Sequence, residues 1–68
     1  MEKGKIKNFF PGEGYGFITT SDDEEFFFHM NDLHAKSKGQ KLYEGLDVAF
    51  DIKSDMKGDK AVNIRVVK

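Results

Sequence analysis

The sequence predicts an all-β fold, a small five-stranded antiparallel barrel, on three observations. Apolar and polar residues alternate in several short segments, which is the pattern of a half-buried strand. No long segment repeats its apolar residues at helical spacing. Turn-forming residues separate five apolar-rich segments, and one long polar connection follows the third. Five short strands with this punctuation are typical of a small closed or nearly closed barrel.

The five predicted strands lie at residues 3–10, 15–20, 25–30, 47–53 and 61–67. Successive side chains of a strand point to opposite faces of the sheet. Applied to these segments, that parity gives a predicted core of Ile6, Ile18, Phe26, Phe28, Val48, Phe50, Ile52, Val62 and Ile64.

Turn residues support these boundaries. Pro11, Gly12 and Gly14 follow the first strand, and the segment TSDDE (20–24) is typical of a hairpin turn. The segment SDMKGDK (54–60) separates the last two strands, and residues 31–45 form the long connection.

Composition limits the classes of protein. With 68 residues, the chain is expected to form a single domain over 1–68. It has no cysteine, so disulfides and cysteine-based zinc sites are excluded and a cytoplasmic location is expected. No apolar run is long enough to span a membrane, and no export signal is predicted. The net charge of −1 argues against a globally basic nucleic-acid binder, although a locally basic face is compatible with it.

The run of three phenylalanines at 26–28 cannot face one way in a strand. Parity directs Phe26 and Phe28 inward and Phe27 outward, together with His29. Tyr15 and Phe17 are predicted to face outward on the neighbouring strand. Such an aromatic cluster can stack on bases of single-stranded nucleic acid or can stabilise the sheet through cross-strand pairs, and parity alone leaves both interpretations open.

Several segments resemble the cold-shock domain family over essentially the whole chain. GKIKNFF (4–10), GYGFI (14–18) and FFFHMNDL (26–33) are similar to that family's first strand and its two RNP motifs. EGLDVAFDI (44–52) and KGDKAVNI (57–64) are similar to its last two strands. The resemblance implies a barrel of the oligonucleotide-binding (OB) type that binds single-stranded RNA or DNA, with a lean toward pyrimidines. It also implies a role as an RNA chaperone or as a regulator of transcription or translation.

The resemblance also implies a set of nucleic-acid-binding positions. Lysines would meet phosphate, Phe9 would border the platform, and the other rings would stack on bases. The positions are Lys7, Asn8, Phe9, Tyr15, Phe17, Phe27, His29, Met30 and Lys57.

Four features of the family's usual pattern are missing from this chain, one of them a further aromatic residue in the loop that here is AKSKGQK (35–41). Asn8 stands where the family usually has Trp, Met30 where it has an aromatic residue, and Glu13 where it has Lys. A lost stacking contact costs about 1–3 kcal/mol of binding, so a reduced affinity is expected. Cations and a ring elsewhere are candidates for partial compensation: Lys5, Phe10, Lys36 and Lys38.

A second hypothesis is that the same apolar face binds a protein or a second copy of the chain. We expect a monomer, with a strand-swapped dimer as the alternative. Catalysis and cofactors are not expected, because His29 and His34 have no third metal ligand at a suitable spacing.

Overall fold

The computed structural model describes residues 1–37 and 39–67, apart from the side chains of Lys36 and Asp55. The strands are β1 (Glu2–Phe10), β2 (Tyr15–Thr19), β3 (Glu25–His29), β4 (Asp47–Asp55) and β5 (Gly58–Val66). Two short 3-10 helices, Met30–Asp32 and Ala35–Ser37, lie in the connection between β3 and β4. All five predicted strands are therefore present.

The strands form a closed barrel in the order β1-β2-β3-β5-β4, which confirms the predicted fold class. The pairings of β1 with β2, β1 with β4, β2 with β3 and β4 with β5 are antiparallel. The pairing that closes the barrel, between β3 and β5, is parallel and joins Phe27 to Lys60. Its direction differs from the all-antiparallel prediction because strand directions cannot alternate all the way around a closed ring of five strands, so one pairing has to be parallel.

The core lies inside the barrel and agrees with most of the parity prediction. The predicted residues that are buried are Ile6, Ile18, Phe26, Phe28, Val48, Phe50 and Ile64. Leu33, Leu42 and Leu46 complete the cluster from outside the strands. Sequence reasoning missed these leucines because isolated apolar residues in a polar connection have no periodicity.

Ile52 was predicted to be in the core and is instead 42% exposed. The ladder between β1 and β4 ends where Glu2 pairs with Phe50. Beyond that point β4 pairs only with β5, so the inward side of Ile52 has no opposing strand to cover it.

Val62 was also predicted to be in the core, and the prediction fails because of a bulge. The register between β4 and β5 shifts between Ala49 and Asp51, and Asn63 in β5 has a left-handed φ of 51°. The extra residue reverses parity along β5. Ala61 is consequently fully buried, while Val62 is only partly buried.

Two of the predicted turns form by local hydrogen bonds, whereas the predicted separator at 54–60 is a turn only at residues 56 and 57, because β4 extends to Asp55 and β5 begins at Gly58. The amide of Thr20 donates to the carbonyl of Glu24 at 3.0 Å, and the Thr20 hydroxyl accepts from the Glu24 amide at 3.3 Å. The turn after β1 closes when the Gly14 amide donates to the carbonyl of Phe10 at 2.8 Å, and Gly14 adopts a φ of 79°. In the part of the chain that the structure describes, no helix is long and apolar enough to cross a membrane.

Candidate nucleic-acid interface

The outer face of β1, β2, β3 and β5 carries two rows of side chains, which follow from the strand register. Residues that pair across adjacent strands point to the same side of the sheet. The first row runs Asn8, Phe17, Phe27 and Lys60. The second row runs Phe10, Tyr15 and His29.

Four rings from these rows are in contact and form what we call the aromatic face: Phe10, Tyr15, Phe17 and Phe27. Tyr15 lies at its centre, with ring centroids 5.2 Å from Phe10, 6.3 Å from Phe17 and 5.5 Å from Phe27. Phe17 and Phe27 meet edge to face at 5.9 Å. The rings stabilise one another and still offer surface to solvent, since Phe10 is 41% and Phe27 is 39% exposed.

Gly16 allows this face to form over a tightly packed core. A Cβ at this position would collide with the carbonyl oxygen of Asn8 and would lie 2.8 Å from the ring of Phe28. Gly16 therefore serves close packing beneath the face, whereas Gly14 serves the turn.

A bulge in β1 decides which of its side chains reach the aromatic face. Ile6 pairs with Ile18, but Asn8 pairs with Phe17, so Lys7 is the extra residue. Asn8 thereby lies beside Phe17 on the outer face. Phe9 turns toward the interior, where its ring stacks on Phe28 at 6.2 Å and packs against the core.

His29 and Met30 mark the end of β3. The Nδ1 atom of His29 accepts a hydrogen bond from the amide of Asn31 at 3.1 Å, which orients the imidazole at the start of the first 3-10 helix. The amide of Met30 donates to the carbonyl of Gly14 at 2.9 Å, which ties this end of β3 to the turn after β1. The Met30 side chain is 38% exposed at the margin of the face.

Lysines flank the aromatic face on both sides. Lys7 forms an ion pair with Glu25 at 3.1 Å, and both side chains are about half exposed. On the opposite side, a pocket beside Phe27 is lined by Lys57, Gly58, Asp59 and Lys60. The structure therefore brings the predicted Lys57 next to a predicted stacking ring, although the two are far apart in sequence.

The predicted site residues thus fall into three groups. Tyr15, Phe17, Phe27, His29 and Asn8 share the outer face; Lys7, Lys57 and Met30 border it, and Phe9 contacts the core side. Sequence reasoning did not predict that Lys60 lies on this face, nor that Phe10 points outward, because both positions depend on the register between strands. Among the suggested compensating cations, Lys38 and the side chain of Lys36 lie outside the described residues.

Comparison with known proteins agrees with this geometry. The family model described as the "'Cold-shock' DNA-binding domain" matches residues 2–67. The chain is 38% identical to a "Major cold shock protein" of Streptococcus pyogenes over 94% of each chain. It is also 38% identical to a "Cold shock-like protein" of Aquifex aeolicus (96% of this chain, 93% of the relative) and 35% identical to one of Thermotoga maritima (97% and 98%).

These matches place the chain among the nucleic-acid-binding β-barrels of the OB type. It belongs to the cold-shock domain family. Membership supports nucleic-acid binding in a cold-shock-like role. Within the described residues, no group of three or more His, Asp or Glu side chains is arranged to hold a metal ion.

Proposed function

We propose that the aromatic face and the neighbouring His29 bind single-stranded RNA or DNA by stacking bases on Tyr15, Phe17, Phe27 and His29. The observation that carries this proposal is the set of contacting, partly exposed rings on adjacent strands, flanked by lysines. Every base has a π-face, so a platform of this kind accepts many sequences at about 1–3 kcal/mol per stacked base.

The strands bound are proposed to be rich in pyrimidines. On a platform that reads stacking rather than base edges, sequence preference comes from the stacking and flexibility of the free strand. A pyrimidine-rich strand loses less self-stacking when it is spread over Tyr15, Phe17 and Phe27. The cellular role that fits such binding is that of an RNA chaperone or a regulator of transcription or translation in the cytoplasm.

The affinity is proposed to be reduced. Asn8 provides an amide beside Phe17, and Met30 provides a thioether at the edge, where the family usually has rings. Glu13 adds a negative charge to the exposed turn after β1. Phe10 offsets part of the loss by adding its ring to Tyr15.

A fluorescence titration tests the proposal. The chain has two tyrosines and no tryptophan, and Tyr43 is 54% exposed outside the strands. Tyr43→Phe therefore leaves Tyr15 as the reporter. Quenching by an oligo(dT) or oligo(U) at low salt, stronger than by oligo(dA), is the expected result.

The absence of quenching at protein concentrations well above micromolar would overturn the proposal. Tyr15→Phe with Tyr43 retained is the matched control, because it preserves a stacking ring and moves the remaining reporter off the face. This variant should bind, as judged by electrophoretic mobility of a labelled oligonucleotide, and should show little quenching.

A second candidate function is self-association through the same face. The exposed apolar side chains of Phe10, Phe27 and Met30 favour it, because exposed apolar patches of this kind occur at protein interfaces. Light scattering over a range of concentrations separates the two functions. We expect a single domain over 1–68 that is monomeric and binds oligonucleotide without catalysis. A tight dimer that excludes oligonucleotide would favour the second function.

A further inference from the structure

Lys60 occupies a position on the candidate interface that the sequence did not predict. It is the Cα partner of Phe27 across the parallel pairing of β3 and β5. It therefore continues the row that Phe17 and Phe27 begin. A nucleotide whose base stacks on Phe27 would have Lys60 as a neighbour in the row.

The surroundings of Lys60 are rich in cations. Lys53 is its Cα partner on β4, and Lys57 lines the same pocket beside Phe27. The carboxylate of this pocket, Asp59, accepts a hydrogen bond from the Ser54 hydroxyl at 2.7 Å. Three lysines, Lys53, Lys57 and Lys60, therefore lie together at this edge of the interface.

Lys60 forms an ion pair with Asp32. Its Nζ lies 3.5 Å from Oδ2 of Asp32, with the two side chains 30% and 20% exposed. A charge-assisted N–H···O hydrogen bond is usually about 2.7–2.9 Å long, so this contact is loose. An ammonium has three donors, and Asp32 engages one of them weakly.

This pair differs from the other ion pair that flanks the aromatic face. Lys7 and Glu25 are about half exposed, so solvent screens their interaction. The pair of Lys60 and Asp32 is more buried and is screened less. Removal of the Asp32 carboxylate should therefore strengthen the attraction between Lys60 and an anionic ligand more than removal of the Glu25 carboxylate strengthens that of Lys7.

We infer that Lys60 binds the phosphate of the nucleotide whose base stacks on Phe27, and that Asp32 attenuates this contact by competing for the ammonium. The inference rests on the proposed function and adds a phosphodiester-binding residue and its internal competitor. The geometry behind it is the parallel register, the pocket beside Phe27 and the loose, partly buried ion pair.

A double-mutant cycle on oligo(dT) binding tests the inference, with Kd measured at several salt concentrations. Lys60→Gln should weaken binding about threefold or more at low salt and should reduce the log–log salt slope by about 0.7, the value for one phosphate on a single strand. Lys60→Arg should keep both quantities near those of the unmodified chain. Asp32→Asn should tighten binding about threefold, and it should have no effect when Lys60 is already Gln.

Glu2→Gln is the control for net charge. Glu2 is exposed at the start of β1, at the opposite end of the strand from Asn8 and Phe10, so its loss should leave Kd unchanged. A cooperative thermal unfolding transition shows that a variant is folded. If Asp32→Asn does not fold, the Lys60 variants still test the phosphate contact.

Three results would overturn the inference: Lys60→Gln with unchanged Kd and slope, Asp32→Asn weakening binding, or Asp32→Asn tightening binding equally in the Lys60→Gln background. Failure of the unmodified chain to bind oligo(dT) would instead overturn the proposed function.

Discussion

At the scale of single residues, the phenylalanine run separates binding from folding. Phe28 is fully buried under Gly16 and Phe9, whereas Phe27 is 39% exposed on the aromatic face. The two side chains are chemically identical and adjacent. Their different surroundings should therefore produce different phenotypes.

Phe27→Ala and Phe28→Ala form the matched pair that tests this separation. Phe27→Ala should cost about 1–3 kcal/mol of oligonucleotide binding with a nearly unchanged melting temperature. Phe28→Ala should cost about 3–5 kcal/mol of unfolding free energy, a large share of what a domain this small has. Titration and thermal denaturation measure the two quantities, and the opposite assignment would refute the outward direction of Phe27.

Asn8→Trp should increase affinity. Asn8 ends the first row beside Phe17 and is partly buried at the surface, so an indole there would extend the aromatic face. One added stacking contact is worth about 1–3 kcal/mol, or at least fivefold in Kd. Asn8→Leu is the control, since it adds apolar area without a ring and should gain much less; an equal gain would indicate that area alone matters.

At the scale of the strands, β2 can pack closely against β1 and Phe28 because Gly16 has no side chain. Gly16 lies between β1 and the ring of Phe28, with no room for a Cβ. This close approach lets Tyr15 and Phe17, on either side of Gly16, stand on the outer face while the chain beneath them stays packed.

Gly16→Ala should therefore lower the free energy of unfolding by about 1–3 kcal/mol, the usual cost of overpacking. Gly12→Ala is the control, because a Cβ at position 12 would have nothing within 4 Å, and it should leave stability nearly unchanged. Chemical denaturation measures both variants. Equal effects would show that loss of backbone freedom, rather than the contact with Phe28, governs position 16.

At the scale of the whole molecule, the net charge is only −1, and lysines and carboxylates lie close together around the aromatic face. Among the described lysines around the aromatic face, Lys7 is paired with Glu25 and Lys60 with Asp32, and Lys57 lines the pocket next to Phe27. A polyanion must compete with Glu25 and Asp32 for these cations. Electrostatics should therefore contribute to binding without dominating it.

Oligonucleotide binding should weaken as salt increases, with a log–log slope of about −1.5 to −3 for two to four neutralised phosphates. The measurement is the Kd of oligo(dT) between low and moderate salt. A slope near zero would mean that stacking alone holds the strand, and a steeper slope would point to cations outside the described interface.

The number of strands, their order along the chain and the faces of β2 and β3 can be predicted from the amino-acid sequence. These properties are local, because alternation needs only neighbouring residues and neither strand contains a bulge. Parity also predicted the outward direction of Tyr15, Phe17 and Phe27, and the resemblance of continuous motifs, rather than parity, indicated the family.

The contacts between residues of different strands cannot be predicted from the sequence and are known from the tertiary structure. The bulge at Asn63 reverses the parity of β5, so that Ala61 is in the core instead of Val62. The ladder between β1 and β4 stops where Glu2 pairs with Phe50, and Ile52 beyond it is exposed. Closure of the barrel placed Lys60 beside Phe27. Register, bulges and ion pairs join residues that are distant in sequence, and their energies depend on the packed molecule, so no local pattern records them.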